Sequence, residues 1–172
     1  MLTQIVILSL VGGLLCLDRI FLQAMLSRPI VIAPVAGFLL GDSYTGLIIG
    51  AIFELFWIDR APIGIYIPPN DSVASAFAAA LAILAGQSLG AVTKELMALS
   101  VLLAVPFGIL AKRMDVRMMA ANDRLSDRAL EEAKSLNFRA IENMTYFALG
   151  RAFVLYAAML LVLPAIFVPT VI

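Results

Sequence analysis

The C-terminal residues 147–172, FALGRAFVLYAAMLLVLPAIFVPTVI, form an apolar run that contains one charged residue, Arg151. A helix needs about 20 residues to cross the hydrocarbon core of a bilayer, so this run is long enough to span it. Lipid offers the backbone no hydrogen-bond partner, and a spanning run of this kind therefore folds as a helix. The whole chain is 63% hydrophobic and 14% charged, whereas soluble domains are about 45–50% apolar and about 25% charged. The sequence therefore predicts an integral membrane protein.

The composition excludes several classes of function. The net charge is zero, so no basic surface indicates a nucleic-acid partner. The sequence contains no histidine, which excludes a Ser-His-Asp triad, a histidine-ligated zinc site and a phosphohistidine within these residues. The single cysteine, Cys16, lies in an apolar run and is interpreted as a small buried hydrophobe. We therefore expect a protein that is not an enzyme and has no metal or cofactor.

The remaining apolar segments differ in length. The N-terminal run, MLTQIVILSLVGGLLCL, has no basic start and no small-residue cleavage site, so we interpret it as a retained first helix. Residues 96–111 form a second, short span. The stretch from Pro29 to Ile58 is divided by Asp42-Ser43-Tyr44 into two pieces of roughly a dozen residues, which are too short to cross a bilayer. This pattern predicts broken helices or a re-entrant hairpin.

Positive charge is concentrated near the C-terminus. Eight of the twelve Lys and Arg residues lie between Lys112 and Arg151, which predicts that this block faces the cytoplasm. Within it, apolar residues from Met114 to Met144 recur at steps of three or four, as in an amphipathic helix. The mean step between these apolar residues exceeds 3.6, so we expect two helical pieces with a break near residues 135–137.

The predicted organisation is a membrane region over residues 1–111, a cytoplasmic amphipathic helical segment over 112–146 and a C-terminal transmembrane helix over 147–172. The predicted fold class is therefore an all-α polytopic membrane protein with broken or re-entrant helices.

Small residues spaced by four indicate which helix faces point inward. Asp42, Gly46, Gly50 and Glu54 are successive steps of four, so an unbroken helix presents Glu54 on a packed face. A carboxylate within a membrane is a functional hypothesis by default, and the alternative for Glu54 is a structural hydrogen bond. We expect Asp42 to cap the following helix. Asp59-Arg60 is interpreted as an adjacent charged pair at a loop or membrane edge.

A polar interruption divides the next apolar stretch. Pro68-Pro69 cannot continue a helix, and Asn70, Asp71 and Ser72 are residue types that cap the start of one. A second interruption, GQSLG at 86–90, supplies Gln87 and Ser88. Amide, hydroxyl and carboxylate groups suit the alternating donors and acceptors of a sugar, and in transporters with discontinuous helices such junctions bind substrate. The alternative is an extramembrane loop with a helix cap.

Three stretches of the sequence resemble the IIC subunit of the mannose/fructose/sorbose family of the bacterial sugar phosphotransferase system. They are RPIVIAPVAGFLLGDSYTGLIIGAIFEL, IGIYIPPNDSVAS and AGQSLGA, within a similarity that runs from about residue 1 to 165. The matching features are Arg28-Pro29, Gly41-Asp42, Thr45-Gly46, Gly50, Glu54 and Ile63-Gly64. The resemblance implies a permease subunit of the bacterial inner membrane that binds and translocates a hexose.

The resemblance also implies partners. These are a IID-like membrane subunit within an oligomer, and soluble IIA and IIB components that carry phosphate on histidines and phosphorylate the sugar. Because members of the family continue through further membrane segments, this chain is expected to be shortened at its C-terminus. The candidate substrate-binding residues are Glu54, Asn70, Asp71, Gln87 and Ser88. We expect Glu54, Asn70, Asp71 and Gln87 to converge near the membrane midplane.

Two other functions remain open at the level of sequence. One is a substrate-binding membrane subunit of another transporter class, such as the vitamin-binding subunits of energy-coupling systems. The other is a degenerate membrane scaffold without a ligand. Copurification with ATPase subunits would indicate the first of these, whereas neighbouring IIA, IIB and IID genes would indicate the phosphotransferase system.

The charge distribution predicts the accessibility of the block between Lys112 and Tyr146. Single cysteines introduced as Asn122→Cys or Ser126→Cys are expected to resist membrane-impermeant thiol reagents in intact cells, because a cytoplasmic segment is shielded by the bilayer. Labelling after permeabilisation is the control for reactivity. Rapid labelling of intact cells would contradict the predicted orientation.

Overall fold

The computed structural model describes residues 1–59 and 66–171. These residues form six helices, and no strand occurs among them. The helices are α1 (Leu2–Leu17), α2 (Pro29–Leu40), α3 (Ser43–Phe56), α4 (Asp71–Leu89), α5 (Lys94–Lys134) and α6 (Phe138–Val171). Helices α4, α5 and α6 are long and apolar enough to cross a membrane. The predicted all-α polytopic membrane fold is confirmed, whereas Arg60 and Ile63-Gly64 lie outside the described residues.

Helices α2 and α3 form the short hairpin that the sequence predicted. With 12 and 14 residues, they are roughly 18 and 21 Å long, which is less than the ~30 Å of a bilayer core. Gly41 ends α2 with a φ of 94°, a left-handed conformation that favours glycine. Asp42 then caps α3 by accepting a hydrogen bond from the Thr45 backbone N–H at 3.0 Å, as expected.

Helix α4 is the centre of the bundle. Every residue from Ser72 to Gly86 is buried, and α4 contacts each of the other five helices of the described ranges. Its sequence is rich in alanine, and such small side chains let neighbouring backbones approach closely. Phe77 of α4 packs edge-on against Phe107 of α5 and Phe167 of α6, with ring centroids 5.3 and 5.8 Å away. This aromatic cluster fixes the three long helices against one another.

Helices α5 and α6 extend well beyond a membrane. The 41 residues of α5 give a length of roughly 60 Å, about twice a bilayer core. The predicted break near 135–137 is confirmed, because α5 ends at Lys134 and Leu136 adopts a positive φ of 57° before α6 begins. By contrast, neither helix is interrupted at residue 111 or 147, where the sequence analysis placed segment boundaries. The short span predicted over 96–111 is thus part of one continuous helix.

The hairpin packing predicts different effects for two glycine substitutions. A methyl group at Gly50 of α3 would lie 2.5 Å from the Pro29 carbonyl oxygen of α2, whereas one at Gly150 of α6 would meet nothing within 4 Å. We therefore expect Gly50→Ala to destabilise the protein by about 1–3 kcal/mol through overpacking. The control Gly150→Ala is expected to be neutral or to stabilise by up to about 1 kcal/mol. Thermal unfolding in detergent measures both, and equal midpoints for the two variants would contradict the close packing of α2 on α3.

Candidate functional site

The start of α4 is buried and its polar groups are bonded inside the protein. Asn70 is 1% exposed, and its side-chain oxygen accepts a hydrogen bond from the Val73 N–H at 3.0 Å. Its amide nitrogen donates to Asp115 Oδ2 of α5 at 2.8 Å, and its backbone N–H donates to the Gly108 carbonyl at 3.0 Å. The predicted cap is confirmed, and it also joins α4 to α5.

The next two residues attach α4 to the end of α1 and to the loop that follows it. Arg19 donates to the Asp71 carboxylate at 2.8 Å in an ion pair whose side chains are 25% and 32% exposed. The Ser72 hydroxyl donates to the Ser27 carbonyl at 2.6 Å. Asp18, which is buried, holds this loop by accepting from the backbone N–H groups of Ala24 at 2.7 Å and Ser27 at 3.2 Å.

Glu54 lies at the same end of the bundle, but it is already bonded. Its carboxylate forms an ion pair with Arg28 and accepts from the Ile30 N–H in the first turn of α2 at 3.3 Å. A carboxylate at a helix N-terminus is favoured by the helix dipole. Ser27, which bonds Ser72, precedes Arg28 directly, so the start of α2, the end of α3 and the start of α4 lie together.

Gln87 and Ser88 lie elsewhere, and the expected convergence of Gln87 with the other residues is wrong. Helix α4 continues through both positions to Leu89, and the Ser88 hydroxyl donates within the helix to the Leu84 carbonyl at 3.2 Å. Sixteen residues of helix separate Asp71 from Gln87, or roughly 24 Å. Gln87 instead donates to the Leu40 carbonyl at 2.6 Å and satisfies the end of α2.

A cavity of about 360 Å³ opens beside the start of α4. Its polar lining is formed by Arg19, Gln23, Tyr66, Asp115 and Tyr156. Asp115 is 7% exposed, and its Oδ1 has no hydrogen-bond partner within 3.5 Å in the part of the chain that the structure describes. The Tyr156 hydroxyl interacts with the same carboxylate at longer range. A buried acceptor left unpaired costs roughly 1–3 kcal/mol, more when charged. The volume falls in the range of ~300–1,000 Å³ typical of small-molecule sites, so this cavity is a candidate binding site.

Comparison with known proteins identifies the family. The model of the family described as "PTS system sorbose-specific IIC component" matches residues 2–172. The chain belongs to this family. The resemblance inferred from the sequence is thereby confirmed, and the family match favours it over the two other functions that the sequence left open. As an IIC chain, it is a membrane component of a sugar phosphotransferase system.

Three similar proteins are related to this IIC chain over different shares of their length. "Putative N-acetylgalactosamine permease IIC component 2" of Escherichia coli K12 is 32% identical over 63% of this chain and 75% of the relative. The fructose permease IIC component of Bacillus subtilis is 27% identical over 82% of this chain and 49% of the relative. The mannose-specific EIIC component of E. coli K12 is 28% identical over 72% and 46%. The chain thus spans about half the length of the last two.

The fold of the IIC chain is similar to that of a solved transporter. A chain in the structure of the mannose transporter ManYZ with microcin E492 superposes with a TM-score of 0.80 at 23% identity. The superposition covers 99% of this chain and 64% of the solved one. At this identity the comparison shows the shared fold.

Sequence reasoning missed Asp115 and Tyr156 because both lie outside the polar interruptions. Asp115 belongs to the charged block between Lys112 and Arg151. Its position nevertheless gives a signal, since Gly108, Ala111, Asp115 and Met118 follow one another at steps of three or four and are all buried. A single acid on an otherwise small and apolar helix stripe indicates a buried carboxylate that needs a partner.

The buried cap predicts a large effect of one substitution in the IIC chain. Asn70→Ala removes the partners of the Val73 N–H and of Asp115 Oδ2, so we expect a loss of about 2–4 kcal/mol from two unpaired buried groups. Thr93→Ala is the matched control, because Thr93 caps the exposed start of α5 through one bond to the Leu96 N–H, and its loss is expected to be about 1 kcal/mol. Denaturation midpoints in detergent distinguish them. Equal losses would show that Asn70 is an ordinary cap.

Proposed function

We propose that this chain is a permease subunit that binds a hexose in the cavity beside the start of α4 and translocates it. The observation that carries the proposal is Asp115 Oδ1, a buried acceptor without a hydrogen-bond partner among the described residues, beside a cavity whose wall combines a few polar groups with apolar side chains. A sugar hydroxyl is a donor of suitable size for it. Family membership supports the choice of a sugar over other oxygen-rich ligands.

The remaining cavity groups supply the other interactions that a hexose requires. Arg19 and Gln23 offer donors, the Tyr156 hydroxyl both donates and accepts, and the Tyr66 ring offers a flat apolar surface. Sugar hydroxyls alternate in the same way between donating and accepting. A few placed polar groups in a mostly apolar wall are typical of specific small-molecule sites.

The candidate residues at this end of the bundle receive distinct roles. Asn70 orients the Asp115 carboxylate through its 2.8 Å hydrogen bond. Arg19 lines the cavity and also forms an ion pair with Asp71, so a sugar that binds Arg19 changes the Arg19–Asp71 ion pair. Glu54 holds Arg28 and the start of α2 beside the site. Gln87 and Ser88 are assigned to the opposite end of α4, outside this binding site.

The proposed transport cycle needs other components. No chemistry on the sugar is assigned to these residues, and the sequence contains no histidine to carry phosphate. We therefore infer that a separate IIB subunit, supplied by IIA, phosphorylates the hexose as it emerges. A IID-like membrane subunit completes the permease within an oligomer in the bacterial inner membrane. The described helices supply one binding site for that assembly.

Substitutions around the cavity test the proposal in the complete permease with all its subunits. Asp115→Asn, Asp71→Ala and Glu54→Gln are each expected to weaken hexose binding about tenfold or more. Asp115→Asn removes a charged acceptor worth roughly 1.5–3 kcal/mol. The other two act indirectly, because they break the ion pairs that hold Arg19 in the cavity and Arg28 beside it. Isothermal titration calorimetry measures the affinity, and uptake in cells gives a second measurement.

The matched control for loss of one negative charge is Asp127→Asn, because Asp127 lies on an exposed part of α5. It is expected to retain wild-type affinity. Unchanged affinity in all three variants, in assembled permease, would overturn the proposed site. A loss confined to Gln87→Ala would place the sugar at the other end of α4.

A further inference from the structure

Three arginines line one pocket between the outer parts of α5 and α6. The pocket has a volume of about 540 Å³ and lies between Arg124 and Arg128 on α5 and Arg151 on α6. Arg124 and Arg128 are one turn apart and share a helix face. Arg151 is held in place because it donates to Asn122 Oδ1 at 2.9 Å and its guanidinium lies 5.0 Å from the centre of the Phe147 ring.

These arginines form no ion pair among the described residues. The two ion pairs found in residues 1–59 and 66–171 are Arg19–Asp71 and Arg28–Glu54, so no carboxylate there lies within 4.0 Å of the three guanidinium groups. Like charges that converge on one pocket repel one another, and a bound anion relieves that repulsion. The guanidinium group binds phosphate oxygens in a two-pronged geometry, so a phosphate group suits this pocket.

The arginine pocket continues into an apolar groove. Arg151 also lines an adjacent pocket of about 280 Å³ together with Arg117, Met114 and Leu155. Met114 and Leu155 in turn line a third pocket, of about 230 Å³. The wall of that third pocket is entirely apolar and consists of Leu110, Met114, Leu155, Ala158, Met159, Val162 and Leu163. A basic end and an apolar end thus form one groove along α5 and α6.

The groove lies where the chain leaves the membrane. Arg151 is the last charged residue, and the whole sequence after it is uncharged, so Arg151 marks the membrane surface on α6. On α5 the groove runs from Leu110 in its apolar part to Arg128 in its basic part, or roughly 27 Å. On α6 its apolar part runs from Leu155 to Leu163, or roughly 12 Å, close to the ~15 Å of one leaflet's hydrocarbon layer.

We propose that this groove binds one anionic phospholipid of the surrounding bilayer. Its phosphate group lies among Arg124, Arg128 and Arg151, and one acyl chain lies along the apolar wall formed by Met114 and Leu155. Basic pockets between transmembrane helices at a membrane surface are suited to anionic head groups. The continuity of the groove distinguishes a phospholipid from a free phosphate ion, since the ion would use the basic end alone.

The test uses the complete permease, purified in mild detergent and incubated with vesicles of phosphatidylglycerol or of phosphatidylcholine. Native mass spectrometry counts bound lipid, and thermal unfolding measures stabilisation. Wild-type permease is expected to retain one phosphatidylglycerol and to unfold at a higher temperature with it. The triple variant Arg124→Gln/Arg128→Gln/Arg151→Gln is expected to bind it roughly a hundredfold more weakly. The control Arg113→Gln/Lys134→Gln/Arg139→Gln removes the same charge from outside the groove and is expected to bind normally.

A second pair of variants leaves the charge unchanged and tests the apolar part. Ala158→Trp fills the groove, whereas Val154→Trp places the same side chain at an exposed position that does not line it. Ala158→Trp is expected to lose the lipid and Val154→Trp to retain it. Stabilisation by inorganic phosphate equal to that by phosphatidylglycerol would overturn the proposal. So would equal lipid retention in all variants, or a cysteine crosslink from position 158 to another subunit, which would show that protein covers the groove.

Discussion

The fold depends on a helix start that is buried inside the protein. The first turn of any helix leaves backbone N–H groups without partners, and in a membrane these must be satisfied by the protein itself. At the start of α4 the Asn70 side chain accepts from Val73 and its backbone donates to Gly108 of α5. The placement of α5 follows from this cap. The same requirement brings Asp115 against Asn70, and Asp115 Oδ1 is buried beside the cavity without a hydrogen-bond partner among the described residues.

Packing around α4 explains why small residues dominate the centre of the chain. Helices in lipid gain little from the hydrophobic effect on associating, so close van der Waals contact and interhelical hydrogen bonds hold them together. The alanine-rich α4 lets all five neighbouring helices of the described ranges contact it. Gly46 and Gly50 of α3 similarly approach the backbone of α2. Polar side chains then occur at the ends of these helices, where Glu54 and Gln87 satisfy the two ends of α2.

Features with local causes could be predicted from the sequence, whereas long-range pairings could not. The caps at Asp42 and Asn70, the short hairpin and the break near residue 136 each depend on neighbouring residues. The pairing of Glu54 with Arg28, and of Asn70 with Asp115 45 residues later, depends on how the helices pack. Gln87 was misplaced for a related reason: GQSLG suggested an interruption, but α4 continues to Leu89 and carries Gln87 to the far end.

We propose that Asp115 Oδ1 is the acceptor for the transported sugar. The most direct test is the structure of the complete permease with a hexose bound. A sugar oxygen is expected about 2.6–3.0 Å from Asp115 Oδ1, in the cavity between Arg19, Tyr66 and Tyr156. A hexose bound beside Gln87, at the opposite end of α4, would contradict it. A protein group from another subunit bonded to Asp115 Oδ1 would contradict it equally.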